Sequence, residues 1–137
     1  MSDEHPQPPL PIPTATSQPF WDGLAEEQLR IQRCDECQRW VYYPRSHCPS
    51  CLSPELTWTE VTGRGRLHSF TVARQPTAPH FADLVPQLLA VVEIEEGPRL
   101  TTTLVDVDPA SLRVDLPVVP VFDHVDESHT LLRYRPA

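Results

Sequence analysis

The sequence has 137 residues, of which 39% are hydrophobic, 17 are proline and only 4 are glycine. This length allows one ordinary core, or a small core beside a metal-stapled module. The formal net charge of −8 argues against a non-specific nucleic-acid binder, because such proteins need basic groups to displace counterions from phosphates. No apolar run has the length of a membrane span, and the acidic, proline-rich start lacks the regions of a signal peptide, so we expect a cytoplasmic protein without membrane association.

The first part of the chain is rich in proline. Residues 1–18 should be extended and solvated, since proline removes backbone donors and fixes φ, and this segment is either a disordered tail or an arm that lies along a partner. A short helix is predicted over residues 19–28, because proline is favoured in a first helical turn. Ser17 or Gln18 would cap this helix. Its apolar side carries Phe20, Trp21 and Leu24.

The remainder of the sequence has the pattern of a mainly β protein. From Leu29 the hydrophobic period changes to two, which predicts a strand that runs into the first cysteine pair. Residues 40–43 form a second short strand. Beyond Cys51 the candidate strands are 56–62, 66–73, 88–95, 100–106, 118–122 and 130–134.

The number and order of these later strands favour one barrel over residues 56–137. Gly63 and Gly65 interrupt the first two candidates, and we interpret these two as one long bent strand. Gly97 marks a hairpin turn, and Asp108 before a proline predicts a single helical turn. Five strands with a helical turn between the third and the fourth fit an OB-fold, a small Greek-key barrel. An SH3-like barrel and an open meander are the alternatives.

Four cysteines stand in two close pairs, Cys34-x-x-Cys37 and Cys48-x-x-Cys51. Two residues between the cysteines let both thiolates of a pair approach one ion from a tight turn, and two such turns complete a tetrahedral site. Four protein ligands leave no position for water, so the metal should stabilise the protein rather than catalyse a reaction. We predict a zinc ribbon that, together with the helix, covers residues 19–55, and whose folding free energy comes mostly from the metal.

Alternative interpretations of the cysteines are iron in a rubredoxin-like site, two disulfides or four incidental thiols. A reducing cytosol disfavours the disulfides. Turns of this kind often carry glycine after the second cysteine, where a positive φ lets backbone amides reach the sulfurs. Gln38 and Leu52 occupy these positions here, which loosens the motif without removing it.

No set of residues has the pattern of a catalytic site. The six histidines stand in no recognised nucleophile, metal or acid–base arrangement, and we interpret them as surface or hydrogen-bonded groups. Arg64, Arg66 and Arg74 form the one local basic group of this acidic chain, and they either bind the phosphates of a cofactor or are solvated beside a bulge. The loop 75–87 is long for a small domain, which predicts that it lines a channel or contacts a partner.

Several segments between Pro19 and Pro136 carry a family resemblance through their order and spacing. They are PFWDGLAEEQLRIQRC, CDECQRWVYYPRSHCPSC, VTGRGRLHSFTVAR, LLAVVEIEEGPRLTTTLVDVDPASL, LPVVPVFD and LLRYRPA. The chain resembles the acyl-CoA-associated family that joins a zinc ribbon to an OB-fold, once catalogued as domain of unknown function 35. It departs from that family at Gln38 and Leu52, and at Asp115, where a glycine often precedes the next strand.

The resemblance implies an N-terminal helix, a rubredoxin-like zinc ribbon and a C-terminal OB-fold. It also implies a non-catalytic accessory subunit that binds a thiolase-like enzyme, as a hetero-oligomer with two copies of each chain. The preferred enzyme is an aldolase acting on steroid side-chain CoA thioesters. An acyltransferase or an acyl-CoA synthase complex is the alternative, and a hot-dog-fold hydratase is a further possible partner. Acyl-CoA would be the substrate of the complex, with its phosphates on the three arginines. Four residues would face the partner or the acyl-CoA channel: Phe20, Trp21, His80 and Phe81.

Two other functions compete with this one. A single-stranded nucleic-acid-binding OB-fold needs a basic groove interleaved with aromatic residues, whereas these strands carry few aromatics and the net charge is negative. A small independent hydrolase or lyase would use one of the histidines. That hypothesis predicts turnover by the isolated chain and its loss when one histidine is replaced.

Overall fold

The structure, a computed structural model, describes residues 7–137. The helix α1 covers Gln18–Ala25, and two short 3-10 helices cover Pro79–Leu84 and Pro109–Ser111. The strands are β1 (Leu29–Cys34), β2 (Trp40–Val41), β3 (Leu56–Val61), β4 (Gly65–Ala73), β5 (Gln87–Ile94), β6 (Arg99–Thr103), β7 (Pro117–His124) and β8 (Thr130–Pro136). Residues 7–14 contain no helix or strand, and the first six residues of the predicted tail, with His5, lie outside the described part. No helix within residues 7–137 is both long and apolar enough to cross a membrane.

The helix α1 is shorter than predicted, because a Schellman motif ends it early. The amide of Gln28 donates to the carbonyl oxygen of Gly23 at 2.8 Å, and Glu27 adopts the left-handed φ of +60° that glycine usually supplies. No glycine at that position marks the stop in the sequence. Ser17 occupies the N-cap position, but its side chain makes no capping bond and its hydroxyl oxygen instead accepts from the amide of Thr14 at 2.9 Å.

Strands β1, β2 and β3 form a three-stranded antiparallel sheet in the order β2-β1-β3. Strand β3 pairs with β1 along its whole length. The interpretation of β3 and β4 as one bent barrel strand is therefore wrong, since the two strands belong to different sheets. The chain passes from one sheet to the other at Gly63, whose φ is +71°. The domain division between residues 55 and 56 stays a prediction, and the sheet that contains β3 extends across it.

Strands β4 to β8 form a five-stranded antiparallel sheet in the order β6-β5-β4-β7-β8. A parallel bridge between Leu104 and Tyr134 joins its two edges, so that the sheet is a nearly closed barrel. A bulge between Leu67 and Ser69 interrupts the register of β4. An open meander would pair consecutive strands alone, whereas β4 also pairs with β7. The predicted mainly β class, with a short helix, a ribbon and a five-stranded barrel, is confirmed.

Two predicted turns connect the barrel strands. Gly97 has a φ of +123° in the hairpin between β5 and β6. The side chain of Asp108 accepts a hydrogen bond from the amide of Ala110 at 2.9 Å and so begins the 3-10 helix before β7. Both turns are confirmed, because in each case the residue type itself determines the backbone geometry.

One cluster of buried residues joins α1 to both sheets. Leu24 of the helix and Ile31 of β1 are fully buried in it. Along β5, buried and partly exposed residues alternate strictly, as the period of two requires. Because the core is shared, packing of the barrel and folding of the ribbon support each other. The buried residues of β5 are Leu88, Ala90, Val92 and Ile94.

Candidate functional site

The structure brings the four predicted cysteines to one point. Their sulfur atoms all lie within 4.8 Å of one another, with 3.5 Å between the sulfurs of Cys34 and Cys51 and 3.6 Å between those of Cys37 and Cys48. Zinc bound to sulfur at about 2.3 Å requires sulfur separations of about 3.8 Å at the tetrahedral angle. All four cysteines are free, so the disulfide alternative is wrong. The donor set and its spacing fit one zinc ion whose coordination the four sulfurs complete.

Each cysteine pair is closed by the same turn. The amide of Gln38 donates to the carbonyl oxygen of Cys34 at 3.0 Å, and the amide of Leu52 donates to that of Cys48 at 2.9 Å. Gln38 and Leu52 have φ values of +64° and +63°, at the two positions where turns of this kind often carry glycine. Leu52 is 73% exposed, and the side-chain Nε2 of Gln38 donates to the carbonyl oxygen of Asp35 at 2.7 Å. The missing glycines therefore add backbone strain without changing the turn.

The four cysteines Cys34, Cys37, Cys48 and Cys51 form what we call the thiolate cage. Backbone amides around this cage favour the ionised form of its sulfurs. The amides of Cys51 and Ser50 lower the pKa of Cys48 to about 6. The backbone amide of Ser53 lowers the pKa of Cys51, but the sulfur of Cys34, desolvation and the sulfurs of Cys37 and Cys48 together outweigh that amide and raise the pKa to about 12. Sulfurs this close cannot all ionise without a cation between them, since like charges repel. A bound dication removes that conflict and holds all four sulfurs as thiolates.

Gln32 on β1 holds the segment that leads to the second cysteine pair, a role that the sequence did not predict. Its side-chain nitrogen donates to the carbonyl oxygen of Arg45 at 2.8 Å, and its side-chain oxygen accepts from the backbone amide of Arg45 at 2.8 Å. The side chain is only 4% exposed, whereas the alternation along β1 placed it on the polar side. No local sequence pattern indicates these two hydrogen bonds, because Gln32 and Arg45 are 13 positions apart.

The three arginines predicted to bind phosphates do not form one cluster. Arg66 on β4 bonds to Glu93 at 3.2 Å, and its Nε lies 3.8 Å from the carboxylate of Asp115. Arg74 comes directly after the other end of β4. Since each residue of a strand adds about 3.3 Å, the backbones of Arg66 and Arg74 are about 26 Å apart. Arg64 precedes β4 and is exposed. Within residues 7–137 the guanidinium groups of Arg64 and Arg74 have no hydrogen bond or ion pair, so their role in phosphate binding stays a prediction.

Two of the residues predicted to face a partner lie on α1. Phe20 is buried, and its ring centroid lies 5.0 Å from that of Trp21 and 6.0 Å from that of Tyr42. These three rings, with Tyr43 and Pro44, line an apolar cleft of about 230 Å³ between the helix and the ribbon. Phe20 therefore builds the wall of the cleft, while Trp21 is the more exposed of the two helical rings.

The other two predicted partner residues lie in the loop between β4 and β5. His80 and Phe81 are half-buried in the 3-10 helix Pro79–Leu84. The Nδ1 atom of His80 is buried and has no hydrogen-bond partner within residues 7–137. The long loop thus carries a polar atom that the described part of the chain leaves unsatisfied.

The histidines near the C-terminus contact acids and a hydroxyl. Nε2 of His124 lies 3.2 Å from the carboxylate of Glu27, and its Nδ1 lies 2.9 Å from the hydroxyl of Thr130. This order of groups resembles a nucleophile–base–acid triad, but Thr130 is only 7% exposed, so a substrate would hardly reach its hydroxyl. The contacts instead join the end of α1 to β7 and β8.

Family models match the two parts of the chain separately. Residues 21–57 match the rubredoxin-like zinc ribbon domain of ChsH2, and residues 58–123 match the C-terminal OB-fold domain of ChsH2. A DUF35 domain-containing scaffold protein of Methanothermobacter thermautotrophicus is 38% identical over 72% of this chain and 74% of its own length. The chain belongs to the DUF35 family. The resemblance found in the sequence is confirmed, and the ribbon match supports zinc as the ion of the thiolate cage.

This DUF35 chain is also similar to parts of enzyme complexes. A solved structure described as the Ltp2-ChsH2(DUF35) aldolase has a TM-score of 0.81 and 32% identity, over 92% of this chain and 98% of that one. A probable enoyl-CoA hydratase alpha subunit of Thermomonospora curvata is 37% identical over 86% of this chain and 37% of its own length. The 3-oxo-4,17-pregnadiene-20-carboxyl-CoA hydratase alpha subunit of Mycobacterium tuberculosis is 36% identical over 72% of this chain and 31% of its own length. The chain therefore spans about a third of each hydratase subunit.

Proposed function

We propose that this DUF35 chain is an accessory subunit that binds and stabilises a thiolase-like acyl-CoA enzyme. The observation that carries the proposal is the likeness to the Ltp2-ChsH2(DUF35) aldolase, which extends over 98% of that chain at 32% identity. The preferred enzyme is accordingly an aldolase, and the complex would cleave a carbon–carbon bond by a retro-aldol reaction. The proposal places this complex in the cytoplasm.

The thiolate cage supports a non-catalytic role for this chain. Four cysteine sulfurs at the spacing of a zinc tetrahedron leave no coordination position for water or substrate. Zinc bound there would stabilise the ribbon, as structural zinc does in small domains. The reacting groups would then come from the partner, and the isolated chain would have no turnover.

A steroid side-chain CoA thioester is the proposed substrate of the complex. Support comes from the relative in Mycobacterium tuberculosis, which is named for a pregnadiene-carboxyl-CoA. Phosphate groups of CoA suit guanidinium donors. Arg64 and Arg74 are exposed and have no ion pair within residues 7–137, whereas Arg66 would have to leave Glu93. Because Arg64 and Arg74 flank opposite ends of β4, one CoA does not reach both, and we assign the phosphate contacts first to Arg64.

The partner would contact the chain at its two aromatic sites. Trp21 and Phe20 border an apolar cleft, and large aromatic rings are common anchors of protein interfaces. His80 and Phe81 sit in the long loop, where a partner could satisfy the buried Nδ1 atom of His80. Two copies of each chain in the assembly, and a hot-dog-fold hydratase as a further partner, complete the proposal. The similarity to two hydratase alpha subunits supports the hydratase.

A second candidate keeps the accessory role but changes the enzyme. The relative in Methanothermobacter thermautotrophicus is named a scaffold protein, and it matches this chain over 74% of its own length. A scaffold for a thiolase-like acyltransferase or acyl-CoA synthase would need the same fold and the same closed cage. The enzyme that co-purifies with the chain distinguishes the two candidates.

The test is co-expression of the chain with each thiolase-like protein of its source organism. A supporting result is a complex of two copies of each chain, with aldolase turnover of a steroid side-chain CoA thioester that neither component shows alone. An obligate interface should bury more than about 1,600 Å². Arg64→Ala should raise the KM for the CoA thioester, whereas Arg113→Ala, an exposed arginine outside the group, should not.

Two results would contradict this proposed function. Turnover by the isolated chain would favour an independent enzyme. Tight binding of a labelled single-stranded oligonucleotide at physiological salt, without binding of any thiolase-like protein, would favour the nucleic-acid alternative.

A further inference from the structure

One edge of the barrel sheet is open along the second half of β4. This strand pairs with β5 over its whole length. On its other side it pairs with β7 only at Gly65 and Arg66, after which Leu67 donates to the carbonyl oxygen of Leu116 at 2.9 Å and accepts from the amide of Asp115 at 2.8 Å. From the described part of the chain, no backbone hydrogen bond reaches this side of β4 beyond Leu67.

The pairing of β5 identifies which backbone groups are unpaired. The carbonyl oxygen of Leu88 accepts from the amide of Leu104, so the even-numbered residues of β5 bond to β6 and the odd-numbered ones bond to β4. Phe70 and Val72 lie opposite the even-numbered residues Ala90 and Leu88. The N–H and C=O groups of Phe70 and Val72 therefore point away from β5, toward the open edge.

The side chains along this edge are those of an uncovered core strand. Phe70 shares its face of the sheet with Ala90, which is 3% exposed, yet the Phe70 ring is 36% exposed. Natural edge strands usually carry charges or proline that prevent pairing with another chain. Residues 68–73, with the sequence HSFTVA, carry neither lysine, arginine, acid nor proline. This edge of β4 therefore lacks the charges and proline that usually prevent an edge strand from pairing.

We propose that an extended segment of the partner enzyme adds to this edge as a sixth barrel strand. The inference rests on the proposed function and specifies how the partner binds. The unpaired groups of Phe70 and Val72 repeat every two residues, a spacing that an extended backbone matches. The added strand places an apolar residue over Phe70. It places an acidic residue near Arg74, whose exposed guanidinium has no ion pair within residues 7–137.

A second copy of this chain fits the edge less well. A symmetric antiparallel pairing that sets Phe70 opposite Val72 of the second copy also sets Arg74 opposite His68. Like charges directly opposite each other destabilise a strand pair when the histidine is protonated. Such a dimer also brings together two chains that each carry a net charge of −8. A strand of a different protein avoids the first penalty by placing an acidic residue opposite Arg74, and it avoids the second when that protein's own net charge is less negative than −8.

The backbone contact is tested by Val72→Pro with Val72→Thr as the matched control. Proline removes the N–H that faces the open edge and leaves the bonds to β5 intact, as at natural edge positions. Threonine keeps the N–H and the branched shape. Binding to the co-expressed thiolase-like protein should weaken at least about tenfold for Val72→Pro and stay within about twofold for Val72→Thr. Both variants should retain their zinc and their melting temperature.

Amide exchange in the unaltered protein gives a second test that does not depend on a variant. The amides of Phe70 and Val72 should exchange rapidly in the free chain and become protected in the complex. The amide of Thr71, which bonds to β5, should be protected in both states.

Three outcomes decide the inference. A thiolase-like protein that binds Val72→Pro as it binds the native chain, with unchanged exchange at Phe70, refutes the edge contact and leaves the proposed function intact. Protection of Phe70 and Val72 that depends on the concentration of the isolated chain shows a homodimer and also refutes it. If no thiolase-like protein binds, the proposed function fails and this inference fails with it.

Discussion

The hydroxyl of Tyr134 donates a 2.6 Å hydrogen bond to the carbonyl oxygen of Gly63. Tyr134 lies in β8 and is fully buried, and its backbone also forms the bridge to Leu104 that closes the barrel. Gly63 lies in the link between the ribbon sheet and the barrel sheet. One side chain thus connects barrel closure to the junction of the two sheets. Burial raises the pKa of Tyr134, so its hydroxyl stays a donor throughout the physiological range.

Tyr134→Phe removes this hydrogen bond and leaves the carbonyl oxygen of Gly63 buried without its partner. We expect the free energy of unfolding to fall by about 1–3 kcal/mol. Urea denaturation with an unchanged m-value measures it. Tyr43→Phe is the control, because Tyr43 is 55% exposed and should change stability by no more than about 0.5 kcal/mol. Equal urea midpoints for Tyr134→Phe and Tyr43→Phe would show that the hydrogen bond from Tyr134 to Gly63 contributes nothing to stability.

Gly63→Ala should destabilise the protein more than Gly97→Ala. Both glycines have positive φ, but a Cβ at Gly63 would lie 2.8 Å from a methyl carbon of Leu29 and 3.2 Å from Pro120, whereas a Cβ at Gly97 would meet nothing within 4 Å. Backbone strain and the clash together should cost about 2–5 kcal/mol at Gly63. At Gly97 only the backbone strain of the positive φ would contribute, because the added Cβ meets no other atom within 4 Å. Thermal unfolding of both variants measures the two losses of stability. A larger fall in melting temperature for Gly97→Ala than for Gly63→Ala would contradict the prediction.

The features that could be predicted from the sequence depend on neighbouring residues. The spacing of Cys34 and Cys37 defines a tight turn by itself, and the turn at Asp108 is formed by a side chain that reaches two residues ahead. The strands could be placed because their hydrophobic alternation is local. Gln38 and Leu52 adopt positive φ because the cysteine turn requires it, so the motif was a better guide than residue propensity.

The features that could not be predicted depend on distant partners. Strand β3 joins the ribbon sheet because β1, more than 20 residues earlier, supplies its hydrogen bonds, and nothing in its own sequence indicates that choice. Arg66 is engaged by Glu93 across the β4–β5 pair. Gln32 is buried by its contact with Arg45. The basic character of the segment around Arg66 did not indicate its ion pair with Glu93, and the polarity of Gln32 did not indicate its burial against Arg45.

Cys48→Ser should release the metal and unfold the ribbon while much of the barrel remains. Structural zinc sites supply about 10–16 kcal/mol of binding free energy to small domains, and three thiolates hold the ion far less well than four. Native mass spectrometry should find one zinc per native chain and none in the variant, and complex formation with the thiolase-like partner should weaken. Ser50→Ala is the control, since that side chain contacts Arg39 and is not a ligand. A Cys48→Ser protein with one tightly held zinc and normal stability would refute the cage.

Gln32→Leu should loosen the segment that precedes Cys48. The substitution leaves two backbone groups of Arg45 without their partner, which should lower the free energy of unfolding by about 1–3 kcal/mol. Zinc should also transfer to a chelator faster, because the second cysteine pair is less firmly held. Gln18→Ala removes only an exposed bond to Asp22 and serves as the control. Identical rates of zinc transfer for native chain and Gln32→Leu would show that Gln32 does not position the cage.

Glu93 gives the barrel a pH-dependent contribution. Hydrogen bonds from Arg99 and Arg66, at 3.1 Å and 3.2 Å, lower the pKa of Glu93 below its usual range. A carboxylate with a lowered pKa stabilises the fold above its unfolded pKa of about 4.3, and this contribution is lost as the pH falls through the folded value. Glu93→Gln should therefore lower the melting temperature by a few degrees at neutral pH and cause no loss in strong acid.

The comparison for Glu93 is made at each pH between proteins of equal zinc content, because acid also protonates the thiolate cage. Glu60→Gln, at an exposed position on β3 without an ion pair within residues 7–137, should change the melting temperature little at any pH. Added salt should reduce the effect of Glu93→Gln at neutral pH, since the three side chains are partly exposed and screening weakens their attraction. A difference between native chain and Glu93→Gln that persists unchanged into strong acid would mean that shape, and not charge, makes Glu93 stabilising.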